Sequence, residues 1–436
     1  MNYFPTGHDN VLYFLDMGML NFYNGDSIKS NELLSKAEIA LENNFTKSMT
    51  QYASSFILDD RMLNYCGEDY EDIYLNVFKA INFFVLNNID AAGVELRRVN
   101  EKLAVLYDKY NKLAAQLNQT AEIRNTNRKI RTERIHFHDS ALSRYLSSIH
   151  YQFEKKYDDV RIDIQHIYAA FQNQQRIYDF NIPRFINDLY QCVSIKTPQL
   201  CLESSNAQVN FIAFAGRSPE KKAKTYWIIT QKNRIIIAKK KNGSGRMDVI
   251  PWPGIKKGYF FKFSLPYMQK RDNTIKKIVV LMDQQSFKLE KLEDIANIAT
   301  ETFNLKKNMI YLKTIVRSTV KGILAAEVKK GIDQKKIDKK NKTPRKLSFG
   351  DSLWIESQKF MVDIAMDIIE KADLRISSFF PAEAYSGKIS VRPGSYHLKI
   401  IYYDNRNMPI KEKDLGKQLI TLGGLNLFQS SYYGVH

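Results

Sequence analysis

The chain has 436 residues, of which 44% are hydrophobic and 12% aromatic, enough for the packed cores of two or three domains. Its 65 Lys and Arg outnumber its 47 Asp and Glu, giving a formal net charge of +18, and its three cysteines lack metal-ligand spacing. These values exclude a disulfide-rich miniprotein, and no run approaches the ~20 apolar residues of a membrane-spanning helix.

The segment from residue 11 to residue 190 is predicted to be almost entirely helical. Apolar residues recur there at i, i+3, i+4 and i+7, and no proline occurs between Pro5 and Pro183. Gly25 and Asp26 lie between the first two helices, where a glycine suits a helix C-terminus and an aspartate can cap the next helix. Similar helix pairs are predicted from Tyr70 onward and within YLSSIHYQFEKKYDDVRIDIQHIYAAF.

The three helix pairs share a spacing. Each has a small residue on its first helix and a second site three residues later. Three further sites follow on the second helix, at twelve, sixteen and nineteen residues after the small one. The sites are Gly18, Asn21, Ser30, Leu34 and Ala37; Ala80, Phe83, Ala92, Leu96 and Val99; and Ser148, Tyr151, Val160, Ile164 and Ile167. The small residues, including Ala80 and Ala92, let paired helices approach closely. The last two copies lie 68 residues apart, twice the 34-residue tetratricopeptide period. We therefore predict a tetratricopeptide-like all-α domain over residues 1–195 that folds on its own.

Acidic residues cluster at the start of the second helix pair. Carboxylates there interact well with the positive end of a helix dipole, and the arginine pair that follows lies at or beside the solvated edge of the next helix. Because no His, Ser or Cys nucleophile accompanies the group, we favour structure or partner contact over catalysis. The candidate partner-binding residues are Glu68, Asp69, Glu71, Arg97 and Arg98.

From about Val209 the pattern changes to short runs rich in β-branched and aromatic residues. QVNFIAFAG, KTYWIITQ, RIIIAKKK, GYFFKFSLPY and TIKKIVVLMD predict one small basic sheet, and RIIIAKKKNGSGRMDVI predicts two strands around an Asn-Gly-Ser-Gly turn. Two helices, LEDIANIATETF and NMIYLKTIVRSTVKGILAAEVKKGI, and a basic loop, KKIDKKNKTPRK, complete a region over residues 200–345.

Residues 350–436 are predicted to form a third region. It begins with a helix, SLWIESQKFMVDIAMDIIEKAD, and ends with a β unit of three strands, GKISVRP, SYHLKIIYYD and QLITL. A turn is expected at Pro393 and Gly394.

Positive charge is concentrated in the second half of the chain. Residues 1–100 carry −7, whereas residues 201–350 hold 33 Lys and Arg against 12 Asp and Glu, a charge of +21. Such a surface attracts nucleic acid, anionic lipid headgroups or an acidic protein, unless it is only a solvated face. The candidate anionic-surface residues are Lys239, Lys240, Lys241, Lys335, Lys336, Lys339 and Lys340. No phosphate-binding loop or catalytic motif occurs, so we predict no enzyme activity, no cofactor and no metal.

Five motifs of this chain occur together in a known family. They are a Gly-Asp turn at Gly25-Asp26, a Gly-Glu-Asp-aromatic-Glu run from Gly67 to Glu71, the pair Arg97-Arg98, an Ala-Asp-x-Arg segment from Ala372 to Arg375 followed by Pro381, and a Pro-Gly-x-Tyr turn from Pro393 to Tyr396. The chain thereby resembles the tetratricopeptide-containing bacterial envelope lipoproteins of Gram-negative and spirochaete-type bacteria. The resemblance covers nearly the whole chain and is loosest between residues 200 and 290.

The resemblance implies an exported protein tethered by a lipidated N-terminal cysteine, and some relatives are encoded near lipoproteins that activate cell-wall synthases. It carries over no catalytic residue. Asp373 and Arg375 are expected to fix the joint between the last predicted helix and the C-terminal strands. The given sequence has neither a signal peptide nor a lipobox cysteine, so a tether is expected only if the chain is a processed or engineered form, and a cytoplasmic location if the given start is native.

The predicted fold is α+β, and the predicted function is a non-enzymatic periplasmic scaffold, lipid-anchored to the cell envelope. It would bind another envelope protein through its helical-repeat groove, as part of a multiprotein assembly, with the basic half facing an anionic surface or an acidic partner. The alternative is a cytoplasmic nucleic-acid-associated protein that uses residues 201–350. Cys192 and Cys201 are able to form a disulfide only in an oxidising compartment.

Overall fold

Helices make up the first part of the fold. The computed structural model describes residues 10–54, 60–124, 126, 128–134, 136–341 and 371–434. The helices before the first strand are α1 (Asn10–Asn24), α2 (Ser27–Ser54), α3 (Asp69–Val85), α4 (Ile89–Asn118), α5 (Ala121–Arg124), α6 (Ala141–Phe153), α7 (Tyr157–Asn173), α8 (Arg184–Ile195) and α9 (Pro198–Leu202), with a 3₁₀ turn at Asp60–Met62.

Tight turns join three packed helix pairs, α1 with α2, α3 with α4, and α6 with α7. Gly25 ends α1 with φ +81°, a conformation that glycine adopts without strain, and Asp26 Oδ1 accepts a hydrogen bond from the Lys29 N–H at 2.9 Å. Asn87 and Lys155 take the equivalent left-handed position after α3 and α6, with φ of 55° and 60°. The local signals for the first two turns were therefore visible in the sequence, whereas Lys155 carries none.

The strands form three four-stranded sheets. Sheet I has the order β12–β1–β9–β8, sheet II the order β11–β10–β6–β7, and sheet III the order β4–β3–β2–β5. The strands are β1 (Ala207–Ala215), β2 (Glu220–Gln231), β3 (Arg234–Ala238), β4 (Arg246–Pro251), β5 (Phe260–Gln269), β6 (Lys277–Met282), β7 (Gln285–Lys288), β8 (Glu290–Asp294), β9 (Glu383–Val391), β10 (Gly394–Tyr403), β11 (Pro409–Ile420) and β12 (Leu427–Tyr432). The strand β1 pairs in parallel with β12 and antiparallel with β9.

Strand β1 is buried on both faces because the sheets and helices form successive layers. Val209, Phe211 and Ala213 point into a core shared with sheet II, where Phe211 meets Phe287 at a ring distance of 5.2 Å. The alternate residues Ile212 and Phe214 join the core formed with the helices. Sheets I and II are thus the two leaves of a sandwich, and the helices cover the other face of sheet I.

A 47-residue helix, α10 (Ile295–Asn341), follows β8 directly and packs on sheet III. Gly322 permits the close approach, since a Cβ at this position would lie 2.5 Å from ring atoms of Phe261 in β5. A second link to sheet III comes from Arg128, which lies between α5 and α6 and binds Asp248 of β4 with two hydrogen bonds of 2.8 Å. Sheet III is therefore held to the helical region through α10 and the segment around residue 128.

The predicted α+β class is confirmed, with an N-terminal helical region, then sheets and a long helix, then C-terminal strands. The prediction of one small basic sheet between residues 208 and 283 is wrong, because its five strands divide among all three sheets. The two helices predicted after it are one, α10. The predicted basic loop is helical up to Asn341 and lies outside the described residues after it.

The predicted helix over residues 352–373 lies outside the described residues except at its end, where residues 371–373 are not helical. The predicted boundary near residues 345–350 separates strands that share sheets, since β9 pairs with β1 and β8, and β10 pairs with β6. Pro393 and Gly394 lie where β9 of sheet I gives way to β10 of sheet II, so their turn joins the two leaves of the sandwich.

Candidate functional site

The predicted acidic residues Glu68, Asp69 and Glu71 lie together at the buried N-terminus of α3. Glu71 Oε2 accepts hydrogen bonds from the Glu68 N–H at 2.8 Å and the Tyr65 hydroxyl at 2.7 Å, and Glu71 Oε1 accepts one from the Ser377 N–H at 2.6 Å. Burial raises the pKa of Glu71 to about 7, although these three donors act in the opposite direction. Glu71 therefore links the start of α3 to the segment before β9.

Glu68 and Asp69 are paired with cations from distant parts of the chain. Glu68 contacts the amines of Lys221 in β2 and Lys306 in α10, the latter at 2.9 Å. Asp69 accepts from Lys109 at 3.0 Å and from the Tyr110 hydroxyl at 2.6 Å. Burial alone would raise the pKa of Asp69, but Lys109 and Lys306 lower it to about 2. Both carboxylates are thus buried and paired with lysines of other segments.

The predicted pair Asp373 and Arg375 extends this cluster. The Arg375 guanidinium binds Asp373 at 2.8 Å and donates to the carbonyl oxygens of Leu63 and Asp60 at 3.0 and 2.9 Å. The Asp60 carboxylate in turn binds the Arg317 guanidinium of α10 at 3.0 and 3.1 Å. Asp373 and Arg375 therefore fix the segment before β9 to the region preceding α3, rather than to the C-terminal strands alone.

We call this set of carboxylates and cations the junction cluster, and it surrounds a cavity of about 150 Å³. Its carboxylates are Asp60, Glu68, Asp69, Glu71 and Asp373, and its cations are Lys109, Lys221, Lys306, Lys313, Arg317 and Arg375. The cluster joins α3, α4, α10, β2 and the segment after residue 370, which matches a structural role for the predicted acids.

The predicted arginine pair lies outside the junction cluster. Arg98 contacts Glu38 at 3.4 Å and Glu95 at 3.3 Å, within a second buried network between α2, α3 and α4. Lys79 binds the same two carboxylates at 2.8 and 3.0 Å. Arg97 is exposed on α4, and no ion pair of its side chain occurs in the described part of the chain. The five predicted partner-binding residues therefore do not form one site.

A third buried carboxylate, Glu293, went unnoticed in the sequence. Its oxygens accept hydrogen bonds from the Ser140 hydroxyl at 2.7 Å, the Leu142 N–H at 2.9 Å and the Tyr178 hydroxyl at 3.0 Å, and the Tyr74 hydroxyl also contacts it. Burial raises the pKa of Glu293 to about 6. Glu293 thus connects β8 to α3 and to the N-terminus of α6. The run KLED carried no local signal of this role.

Lys239, Lys240 and Lys241 lie in the turn between β3 and β4 and are exposed. The Lys241 amine lies 5.6 Å from the Trp227 ring centroid and 6.0 Å from that of Phe260, so the turn leans over one face of sheet III. Within the described residues these three lysines form no ion pair.

The same face carries an apolar row that belongs to neither hydrophobic core. Strand register aligns Phe260, Ile229, Ile236 and Val249 across the four strands, and the Phe260 side chain is 42% exposed. We call this surface the hairpin face, and it comprises Trp227, Ile229, Ile236, Lys239, Lys240, Lys241, Val249 and Phe260. The other predicted lysines, Lys335, Lys336, Lys339 and Lys340, are on the last turns of α10, with side chains outside the described residues.

Comparisons with known proteins add no assignment, since no family model, no curated protein and no solved structure matches the chain. Among the described residues, no group of three or more His, Cys, Asp or Glu side chains is arranged to hold a metal ion. A search of the described helices finds none long and apolar enough to cross a membrane.

Proposed function

We propose that this chain is a non-enzymatic scaffold of the cell envelope. Its hairpin face docks on an anionic phospholipid surface, and its helical half holds another envelope protein. The observation that carries the proposal is the hairpin face itself, where three exposed lysines, without ion pairs among the described residues, adjoin the exposed Phe260 ring and a half-buried aliphatic row. Apolar side chains enter the headgroup region of a bilayer while neighbouring lysines contact its anionic lipids.

Support for a non-catalytic role comes from the junction cluster. Glu68 and Asp69 are buried and paired with lysines, and Glu71 is enclosed by donors of the protein itself. A general acid or base must reach a substrate proton within hydrogen-bond distance. Carboxylates that are buried and already bound to lysines, or to several donors of the protein, are poorly suited to that task.

We interpret the three helix pairs as degenerate tetratricopeptide-like repeats. In favour of this, Gly18 lies so close to α2 that a Cβ there would be 2.7 Å from Leu34 Cδ2, and Ala80 and Ala92 are completely buried. On α2, Ile28 and Ile39 are 70% and 59% exposed. Eleven residues make three helical turns, so both lie on one stripe. This stripe is our candidate contact for the partner protein.

Export to an oxidising compartment is supported by a disulfide between Cys192 and Cys201, with a Cα–Cα distance of 5.9 Å, which ties α8 to α9. Cys66 takes no part in a disulfide. Protein trapped with an alkylating reagent in intact cells should therefore show one modified cysteine, and three after reduction. Three modified cysteines without reduction would place the chain in a reducing compartment.

Vesicle binding tests the proposal. Full-length protein should bind phosphatidylglycerol vesicles and not phosphatidylcholine vesicles, and binding should weaken between 50 and 300 mM salt because exposed charges are screened. Each lysine near an anionic surface contributes about 1 kcal/mol, so the triple variant K239Q/K240Q/K241Q should bind about 100-fold more weakly at low salt.

The matched control is K29Q/K36Q/K47Q, which removes the same charge from exposed positions of α2. It should bind nearly as tightly as the wild type does, whereas equal losses of affinity in both variants would mean that only net charge matters.

The exposed Phe260 ring beside Lys241 also favours a second candidate, single-stranded nucleic acid, because aromatic rings stack on bases. Tighter binding of an oligonucleotide than of vesicles at 150 mM salt would make that candidate the better one.

A further inference from the structure

A cavity of about 660 Å³ opens between three separate segments of the chain. Its walls come from the end of α6 and the turn into α7, from residues between 202 and 210, and from residues 422–425 between β11 and β12. The volume falls within the range of small-molecule sites, so the cavity has room for a ligand as large as a disaccharide. None of the residues that line it belongs to the junction cluster or to the hairpin face.

The described residues that line this cavity are largely polar, but their charges cancel. Lys155 supplies a cation and Glu203 a carboxylate, and both side chains are exposed. The Glu203 carboxylate already accepts hydrogen bonds from the Tyr157 hydroxyl at 3.1 Å and the Gln199 amide at 3.0 Å. The other polar side chains are amides and hydroxyls, from Gln152, Ser204, Ser205, Asn206, Gln208 and Asn210. Such groups both donate and accept hydrogen bonds, which matches a ligand that has many hydroxyls and no charge.

One of these amides lies within sheet I. Asn210 belongs to β1 and is only 4% exposed. Its Oδ1 accepts a hydrogen bond from the Tyr145 hydroxyl at 2.9 Å, which leaves its Nδ2 group as a donor. No protein acceptor for this Nδ2 group occurs among the residues that the structure describes. A buried amide without an acceptor is unfavourable, and a ligand hydroxyl in the cavity would satisfy it.

The Gln152 amide is fixed in its orientation. Its Oε1 accepts a hydrogen bond from the Lys388 amine at 2.9 Å, and its Nε2 donates to the Leu202 carbonyl oxygen at 3.3 Å. Because an NH₂ group has two N–H bonds, one of them remains for a ligand. Lys388 is not among the lining residues, so it acts on this cavity only by holding Gln152 in place.

The cavity also offers apolar surface and open backbone. The Phe153 ring at the end of α6 is 41% exposed, and Leu422 on the opposite wall is 58% exposed. The C–H groups on one face of a sugar ring carry partial positive charge and pack against the negative face of an aromatic ring. Gly423, with φ +71°, and Gly424 have no side chains, so the backbone of their turn can approach a ligand closely.

We propose that this cavity binds a neutral disaccharide. The amides of Asn210 and Gln152 donate to hydroxyl oxygens of the ligand, and the Phe153 ring packs on the apolar face of one sugar ring. The balanced charges of the lining favour an uncharged sugar over an acidic one. This inference does not depend on the docking of the hairpin face on lipid, since the two surfaces share no residue.

Calorimetric titration of the full chain tests the proposal with three disaccharides. Cellobiose and N,N′-diacetylchitobiose are neutral, whereas digalacturonate carries two carboxylates. Wild type should bind at least one neutral disaccharide at millimolar concentration and should bind digalacturonate more weakly. Tighter binding of diacetylchitobiose than of cellobiose assigns the site to acetamido sugars, and the reverse assigns it to unsubstituted ones. Absence of binding of both neutral disaccharides at about 20 mM, or binding of digalacturonate that is as tight as theirs, overturns the proposal.

Two variants locate the binding in this cavity. Phe153→Ala should weaken the affinity for the disaccharide by about threefold or more, whereas Tyr107→Ala, which removes a ring of nearly equal exposure from α4, should leave it unchanged. Asn210→Leu keeps a similar volume without the amide and should weaken the affinity about tenfold. Its thermal unfolding is measured alongside, because the Tyr145 hydroxyl loses its acceptor.

If Asn210→Leu does not fold, the comparison of Phe153→Ala with Tyr107→Ala decides alone. A smaller loss than about threefold in Phe153→Ala, an equal loss in Tyr107→Ala, or wild-type affinity in a folded Asn210→Leu overturns the proposal.

Discussion

Buried carboxylates of this protein fall into two groups that respond to pH in opposite directions. Burial raises the pKa of Glu71 to about 7 and that of Glu293 to about 6, since their neighbours are hydroxyl and backbone N–H groups. Glu38 and Asp69 are also buried, but nearby lysines lower the pKa of each to about 2. The first group stabilises the fold fully below its usual pKa near 4.5, and that contribution is lost as the pH rises toward 7. The second group contributes above about pH 4, and its contribution is lost as the pH falls toward 2.

Glu71→Gln should flatten the pH dependence of stability between pH 4.5 and 7. A pKa raised from 4.5 to about 7 corresponds to roughly 3 kcal/mol of unfolding free energy lost by the wild type across this window. The glutamine has no proton to lose, so its profile should lack that decrease, although one lost hydrogen bond lowers it throughout. Urea unfolding at four pH values measures both curves, with the exposed Glu42→Gln as control. Parallel wild-type and Glu71→Gln curves would show that Glu71 is ionised in the fold.

At the scale of elements, turns and helix starts were predictable from nearby residues, whereas contacts between distant segments were not. The helix turn at Gly25 and the strand turn after Lys241 were predictable because glycine and asparagine mark such turns over a few residues. The acids at the start of α3 were placed correctly because carboxylates interact favourably with the positive end of a helix dipole. Their partners were not predictable, since Lys221 and Lys306 lie more than 150 residues away in sequence. Strand β1 was likewise recognisable as a strand, but its neighbours are set by tertiary packing.

Ala92→Leu should overpack the contact between α3 and α4. Ala92 is completely buried, and added methylene groups in a packed interior typically cost about 1–3 kcal/mol of unfolding free energy. Thermal or urea unfolding measures the loss. Val94→Leu is the matched control, because Val94 is exposed on the same helix and its change should stay within about 0.5 kcal/mol. Equal stability of Ala92→Leu and wild type would mean that the helix pair has room at this point.

At the scale of the whole molecule, the larger of the two cores lies between the helices and sheets I and III. Phe78 of α3 meets Phe214 of β1 at a ring distance of 5.1 Å and Phe380, before β9, at 5.8 Å. Tyr74 reaches Glu293 of β8 from the same helix. The apolar face of α3 is therefore buried partly against residues that follow position 207. This packing argues against the predicted independent folding of residues 1–195.

A fragment of residues 1–195 should keep helical far-ultraviolet dichroism but lose fixed packing. Without sheet I, aromatic side chains such as Phe78 are exposed, and Glu293 no longer binds Tyr74, Ser140 and Leu142. We expect weak near-ultraviolet dichroism and strong binding of a hydrophobic dye, as in a molten globule. The full chain, measured alongside, should show neither. Sharp, cooperative unfolding of the fragment without dye binding would restore the independent domain.

The parallel pairing of β1 with β12 has a consequence for the order in which the molecule can be made. These neighbours are about 210 residues apart, so β1 leaves the ribosome long before the strand that completes its sheet. At roughly 5–20 residues per second, that interval lasts on the order of 10–40 s. During it, β1 offers an unpaired edge to any other nascent chain, and such edges promote aggregation. Chaperone capture during synthesis is thus expected to matter more for this chain than for one whose sheets close sequentially.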